Sequence, residues 1–462
     1  MKKHLLIYFI VFCTSLINSV RAQTWKELTT SSSDLKTVYG GISSICSDSS
    51  GNVYAIGTFR NANNYTYVAK WNGTSWSELG DLGNGYNVIN AICTDKDGNV
   101  YAGGEFENAD NYNYVAKWDG TSWSEVGGLD ALKANVSINI LVSDDAGNIY
   151  ATGSFTDSYG QHYVAKWDGT SWTEVGGLQG LVPDAELSAM AVDKDLNLYV
   201  GGNKQSTVAP YVESIYKWDG AVWSEIGTSS SSAVFKADMQ VTSIGVTPTG
   251  NIYVATNNKN SDGKYIIAKW DGATWTAIPV NITDANTTPI VHVDYYGQIY
   301  VSGYESPTGQ FGALQFNIYK WNGTAFVQLG NLNGSSVVVA MYSDKKGNLF
   351  AGGLFNDATT NIPFVAEYTA ASGTMPTAIT AATYTNGTIK IYPNPAQDVV
   401  TVDVTSDLIG TAYYIYDARG ILQASGILAV GSSRLSIENL STGLYFIQLG
   451  DLSNNAFKLV KK

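Results

Sequence analysis

The sequence predicts an all-β fold: a seven-bladed β-propeller closed by an N-terminal strand, plus a small C-terminal β-sandwich. Three observations predict it: a turn motif repeated seven times, an aromatic motif repeated six times, and a change of pattern after Tyr368. Composition agrees. The 462 residues include 47 Gly, 30 Tyr, 12 Trp and 14 Phe, and only 15% are charged, which is too aromatic and too uncharged for disorder.

The first element is a secretory signal over residues 1–22. Lys2 and Lys3 precede an apolar run from Leu5 to Phe12, and Val20, Arg21 and Ala22 put small residues at the exit positions. Cleavage there leaves Gln23 first. The apolar run is too short to span a bilayer, and no transmembrane helix is expected in the mature chain. Formal net charge is −13 and falls further once Lys2, Lys3 and Arg21 are lost. Nucleic acid is excluded as a partner, because nothing here would neutralise its phosphates.

Residues 23–368 carry the repeats. The string Asp-x-x-Gly-Asn-apolar-Tyr starts at Asp48, Asp95, Asp144, Asp193, Thr247, Asp294 and Asp344, a period of about 49 residues. A second string, Lys-Trp-Asn/Asp-Gly-x-x-Trp, gives Trp71 and Trp76, Trp118 and Trp123, Trp167 and Trp172, Trp218 and Trp223, Trp270 and Trp275, and Trp321 and Phe326. The seventh repeat stops at Tyr368 without it. The missing piece stands at the other end, where Thr24 to Leu28 matches Ser75 to Leu79 in residue type. A ring explains that exchange, whereas an open solenoid has no use for it. Each repeat reads as four short strands with Asp/Asn-Gly turns after the first and third, the unit of a propeller.

Gly103-Gly104, Trp118-Asp119 and Trp123 resemble kelch-type propeller repeats, which carry a glycine pair, Tyr-Asp and Trp at these places. Ile56-Gly57, Thr152-Gly153, Ala255-Thr256 and Ser302-Gly303 depart from the doublet. The resemblance implies blade architecture and no activity.

Residues 369–388 are rich in Thr, Ala, Ser and Gly, a linker composition. Residues 389–462 then read Tyr392-Pro393-Asn394-Pro395, a turn at Asp417 to Gly420, a strand with Gly443, Tyr445 and Phe446, and a lysine-rich end. This tail resembles the C-terminal sorting domain of proteins exported by the type IX secretion system of Bacteroidetes. The resemblance implies the secretion machinery as partner, export across the outer membrane, and a body attached to surface lipopolysaccharide or released.

Scarce residues limit the chemistry. Past the signal there are two histidines, His162 and His292, in different repeats and in no metal-ligand spacing, so neither a metal site nor a His-based triad is expected. No cofactor is implied. Asp119 to Trp123 is similar to the Asp-box of sialidases but one residue shorter. Those enzymes hold a carboxylate with three arginines, and Arg60 is the only arginine in the repeats. The loop Asp95 to Asn99 has the oxygen density of a calcium site, but Thr-Pro-Thr-Gly at the same place in repeat five favours turn chemistry. Cys46 and Cys93 share one repeat position and are expected as buried thiols. Fixed-position tryptophans are expected to pack between blades.

What varies is the face opposite the tight turns, where rigid scaffolds present function. The candidate binding residues there are Arg60, Asn64, Tyr65, Glu107, Asp110, Asn111, Tyr112, Asp157, Tyr159, His162, Glu305 and Phe311. Their amides, carboxylates and rings suit a sugar or a polar protein surface. The leading expectation is a non-catalytic surface or secreted module that binds a glycan or surface protein. The rivals are a polysaccharide hydrolase or lyase using Glu107, Asp110 or Glu305 as acid and base, and a structural surface component.

Overall fold

The computed structural model describes residues 25–28, 35, 37–80, 82, 88–177, 181, 187–204, 212–227, 234, 239–282, 288–305, 315–323, 325–329, 337–353, 364–369, 389–405, 412–417, 422–428, 431–438, 440–449 and 456–462. The signal, residues 370–388 of the linker, Phe311 and Gly420 lie outside the described residues.

Between Trp25 and Tyr368 the described residues form seven four-stranded antiparallel sheets, one for each sequence repeat. Repeat two shows the plan: Ile89–Thr94, Val100–Gly104, Ala116–Trp118 and Trp123–Glu125, each strand paired with the next. No helix occurs among the described residues. Ala55, Ala102, Ala151 and Ala351 are fully buried mid-strand, and Phe59 at the end of its second strand and Phe106 and Phe155 just beyond theirs are buried in the core.

The recurring Asp builds the first turn. Asp95 Oδ1 accepts the N–H groups of Asp97 and Asn99 at 2.9 Å each, while Oδ2 accepts Asn99 Nδ2 at 2.7 Å and the Tyr101 hydroxyl at 3.0 Å. These oxygens are therefore engaged in holding the turn, not turned outward to a cation. In repeat five the Thr247 hydroxyl replaces the carboxylate and accepts Asn251 N at 3.0 Å.

A second turn uses the Asp or Asn before Gly. Asp119 Oδ1 accepts the Thr121 and Ser122 N–H groups at 2.8 and 2.9 Å, and these bonds hold its carboxyl down at about 2. Asn72 does the same with Thr74 and Ser75.

In repeats one, two, three and seven the second glycine of the doublet sits hard against a carbonyl, whereas repeat five carries Thr256 there. A Cβ on Gly104 would stand 2.0 Å from the Val88 carbonyl oxygen, and Gly57, Gly153 and Gly353 meet first-strand carbonyls in the same way. The first strand is bulged at that point.

Neighbouring sheets are joined by tryptophan. Trp76 Nε1 donates to Leu28 O at 2.6 Å, Trp172 to Val126 O at 3.0 Å, Trp223 to Val175 O at 2.9 Å and Trp275 to Ile226 O at 3.0 Å, while Trp123 donates to Leu79 O. Each acceptor follows the fourth strand of the preceding repeat. The sheet of repeat seven takes its fourth strand from Trp25–Glu27, which pairs antiparallel with Ala366–Tyr368. Trp25 Nε1 donates to Leu329 O of repeat six at 2.7 Å.

Cys46 and Cys93 are free and buried, and burial pushes both thiols well above their ordinary range. His292 sits at the same repeat position, with Nε2 2.7 Å from Ser343 Oγ.

The tail is a two-sheet sandwich. Lys390–Tyr392, Val399–Asp403 and Ser432–Ser436 form one sheet; Ala412–Asp417, Leu422–Ile427, Gly443–Leu449 and Ala456–Lys461 form the other. Val400, Val402, Leu435, Ile415, Ile447 and Leu459 fill the space between them. The Tyr-Pro-Asn-Pro opening is fastened to the lysine-rich end: Asn394 Nδ2 donates to Lys458 O at 2.6 Å, and Val460 N donates back to Asn394 Oδ1 at 2.9 Å. The Tyr445 hydroxyl donates to Ser441 O at 2.8 Å.

Candidate functional site

Among the described residues, the hairpin loops between second and third strands of repeats one, two, three and five share one design. Asn61 Oδ1 accepts the N–H groups of Asn63 and Tyr65, Asn108 Oδ1 those of Asp110 and Tyr112, Asp157 Oδ1 those of Tyr159 and Gln161, and Asn260 Oδ1 those of Asp262 and Lys264. Asn64 and Asn111 turn the chain with φ of 65° each, a region asparagine tolerates better than most residues.

In repeats one and two the organiser's side-chain amide also reaches the fourth strand. Asn61 Nδ2 donates to Glu78 at 2.6 Å; Asn108 Nδ2 donates to both oxygens of Glu125 at 3.2 Å and to Asp130 at 3.0 Å. Burial raises the Glu125 carboxyl despite these bonds. Asn61, Asn108 and the fourth-strand glutamates are not among the residues expected from sequence. The signal that could have found them is a constant separation of 17 residues.

The connections between repeats meet the same loops. Asn113 N donates to Ala134 O at 2.9 Å, Asn135 Nδ2 donates to Thr156 Oγ1 at 3.0 Å, and Thr156 N donates back to Asn135 Oδ1 at 2.9 Å. The connection from repeat two to repeat three is thus bonded to a hairpin loop on each side.

The expected residues divide on this frame. Arg60 Nη1 donates to Asn64 O at 2.8 Å, so its guanidinium braces its own loop. Tyr112 lies under Lys133, whose Nζ is 5.6 Å from the ring centroid. Tyr159 is 63% exposed and stands out from the surface. His162 is partly buried, and its Nδ1 is buried without a hydrogen-bond partner. Glu107, Asp110 and Asn111 are exposed; Tyr65 is half-buried. Glu305 ends a strand, Ile299–Glu305, and its side chain lies outside the described residues together with Phe311.

A cleft of about 250 Å³ opens at the seam of repeats two and three. It is lined by Asp157, Glu174, Tyr163, Trp172 and the connection residues Ala131 and Leu132, among others. Of the expected site residues, Asp157 alone lines it; Glu107 and Asp110 do not. The Tyr163 phenol is pushed up to about 12, first by burial and then by the charges of Glu174 and Asp157.

No curated protein matches the chain. Among solved structures it is similar to YCF48 bound to D1 peptide, with 11% identity, a TM-score of 0.50, and coverage of 76% of this chain and 97% of that one. It is also similar to virginiamycin B lyase from Staphylococcus aureus, with 14% identity, a TM-score of 0.49, and coverage of 75% of this chain and 99% of that one. A third similar structure is PorZ, a surface component of the type-IX secretion system of Porphyromonas gingivalis, with 13% identity and a TM-score of 0.47; it covers 90% of this chain, which spans 59% of PorZ. At these identities the likeness is one of fold alone. No helix among the described residues is long and apolar enough to cross a membrane. Residues 390–462 match the family described as the Secretion system C-terminal sorting domain. The chain therefore carries a type IX secretion sorting tail, which implies export across the outer membrane, behind an all-β, propeller-like body.

Proposed function

We propose that this protein is an exported, non-catalytic propeller of seven kelch-like blades that binds a glycan or a surface protein through its hairpin-loop face. Residues 1–22 direct it through the inner membrane, residues 23–368 form the ring, residues 369–388 link it to the tail, and residues 389–462 are read by the type IX machinery of a Bacteroidetes host. The body then stays on surface lipopolysaccharide or is released. Closure of the ring is supported by the strand Trp25–Glu27 on Ala366–Tyr368 and by the bond from Trp76 to Leu28.

The observation that carries the binding reading is the hydrogen-bonded join between the hairpin loops and the connection from repeat two to repeat three. It presents Tyr112, Tyr159, Asp110 and Asn111 on a pre-organised surface, which lowers the ordering cost of binding. Arg60, Asn64, Tyr65, Glu107, Asp157 and His162 belong to the same reading of this face. The test is to probe a glycan array and a panel of host surface proteins with the exported protein. Binding that weakens at least tenfold in Tyr159→Ala or Tyr112→Ala supports the reading; no binding in either panel would leave a structural surface component.

A further inference from the structure

We propose that the tight-turn face of repeat six is the docking surface for the protein's own sorting tail, with Gln298 and Tyr414 as the latch between them. At the fifth residue of the recurring turn six copies carry asparagine, and repeat six alone carries glutamine, Gln298. The asparagine amide is used inside its own turn. Asn52, Asn99, Asn148, Asn197 and Asn348 donate Nδ2 to Oδ2 of the turn's Asp at 2.6–2.8 Å, and Asn251 donates to Thr249 Oγ1 at 3.1 Å. Gln298 keeps the backbone part of that turn, its N–H donating to Asp294 Oδ1 at 2.7 Å. Its longer side chain leaves the turn, and Nε2 donates instead to the Tyr414 hydroxyl of the tail at 2.7 Å. The turn of repeat six is looser for it: the Tyr300 hydroxyl stands 3.3 Å from Asp294 Oδ2, where its counterparts in repeats one to four stand at 2.9–3.1 Å.

The tail carries the matching signal. On its strand Ala412–Asp417, Tyr413 and Ile415 pack into the sandwich, so strand alternation turns Tyr414 to the outer face of its sheet. A tyrosine on a solvated face stays largely exposed, as Tyr392 of the same sandwich does at 46%. Tyr414 is 8% exposed. Burial raises the Tyr300 phenol of the body, followed by the charge of Asp294 and then by Tyr414, which places the tail's ring beside the turn as well as on Gln298. A covered phenol whose hydroxyl accepts a specific amide combines apolar contact with a polar anchor, the pairing that fixes one docked arrangement.

The place of docking has a consequence for delivery. Gln298 lies in the turn between the first and second strands of its sheet, and the hairpin loops lie at the other end of the second strands. The tail is therefore held away from the hairpin-loop face and leaves it uncovered. The sheet face that carries Tyr414 is closed to other partners while the tail is docked.

Gln298→Asn restores the residue of the other six repeats, so the turn keeps its bonds while the latch loses its donor. Hydroxyl-radical footprinting of the full chain, read by mass spectrometry, would compare the wild type with this variant at three tyrosines of the tail: Tyr414 at the latch, Tyr392 on the exposed surface and Tyr445 inside the sandwich. In the wild type Tyr414 is expected to be oxidised at least fivefold more slowly than Tyr392. In Gln298→Asn the rate at Tyr414 is expected to rise at least threefold, with Tyr445 unchanged and the melting temperature within a few degrees of wild type. Three results would overturn the proposal. Oxidation of wild-type Tyr414 at the rate of Tyr392 would mean that the tail is not docked. An unchanged rate at Tyr414 in Gln298→Asn would mean that Gln298 does not hold it. An equal rise at Tyr445 would mean that the sandwich opens and no docked face is released.

Discussion

At the scale of single residues, the fold rests on a few polar side chains that each close a turn. Asp144 accepts from Asn148 N at 2.8 Å, Asn148 Nδ2 at 2.6 Å and the buried Tyr150 hydroxyl at 3.1 Å. Asp144→Ala strips all three donors of their acceptor and is expected to cost about 2–3 kcal/mol in urea unfolding; a loss below about 0.5 kcal/mol would contradict the role given to the recurring Asp. His292 supplies a pH test. Burial pulls its imidazole down to about 4, below the roughly 6.5 of an unfolded chain. Between those values the unfolded state binds the extra proton, so this contribution to stability is present above pH 6.5 and is lost as pH falls towards 4. Burial raises the neighbouring Asp294 carboxyl to about 6, which acts in the opposite direction over much of the same window. A comparison with His292→Gln cancels the Asp294 contribution. Relative to that variant, the wild type is expected to lose up to about 3 kcal/mol between pH 7 and pH 4, and a pH-independent difference would show that the imidazole is not shielded. The turn residues were legible in the sequence because Asp, Gly and Tyr recur at fixed offsets. The link from Asn108 to Glu125 was not, because its signal is a spacing between two ordinary polar residues, and only the antiparallel return of the chain brings them together.

At the scale of elements, the joint between sheets is a tryptophan N–H on a carbonyl of the preceding repeat. Trp76→Phe removes the indole N–H and leaves a gap where the second ring packed, so it is expected to cost about 1–3 kcal/mol. Removing residues 25–28 does more: it uncovers the edge of Ala366–Tyr368, exposes the site of the fully buried Leu28 and deprives Trp76 of its acceptor. A loss on the order of 5 kcal/mol is expected, and an unchanged melting temperature would count against the strand as part of the ring. The strand pattern and the exchange between chain ends were readable from the six-against-seven count of motifs. The bulge that crowds the second doublet glycine in repeats one, two, three and seven was not, because it depends on how closely a carbonyl of the neighbouring stretch of chain approaches.

At the scale of the whole molecule, a polar, tyrosine-bearing loop face is held on a rigid body whose tight-turn face is occupied with its own hydrogen bonds. Low charge and the scarcity of His and Arg narrow the chemistry from the sequence alone. Those numbers could not reveal the cleft, since its two carboxylates come from a hairpin loop and an outer strand and its wall from the preceding connection. Delivery joins the parts into one account, and the tail is its most exposed claim. The direct measurement is the location of the protein in a type IX-competent host, with and without residues 389–462, by surface proteolysis and fractionation. The full chain is expected to reach the surface or the medium, and the truncated chain to stay in the periplasm. Surface display of the truncated chain at the level of the full one would contradict that expectation.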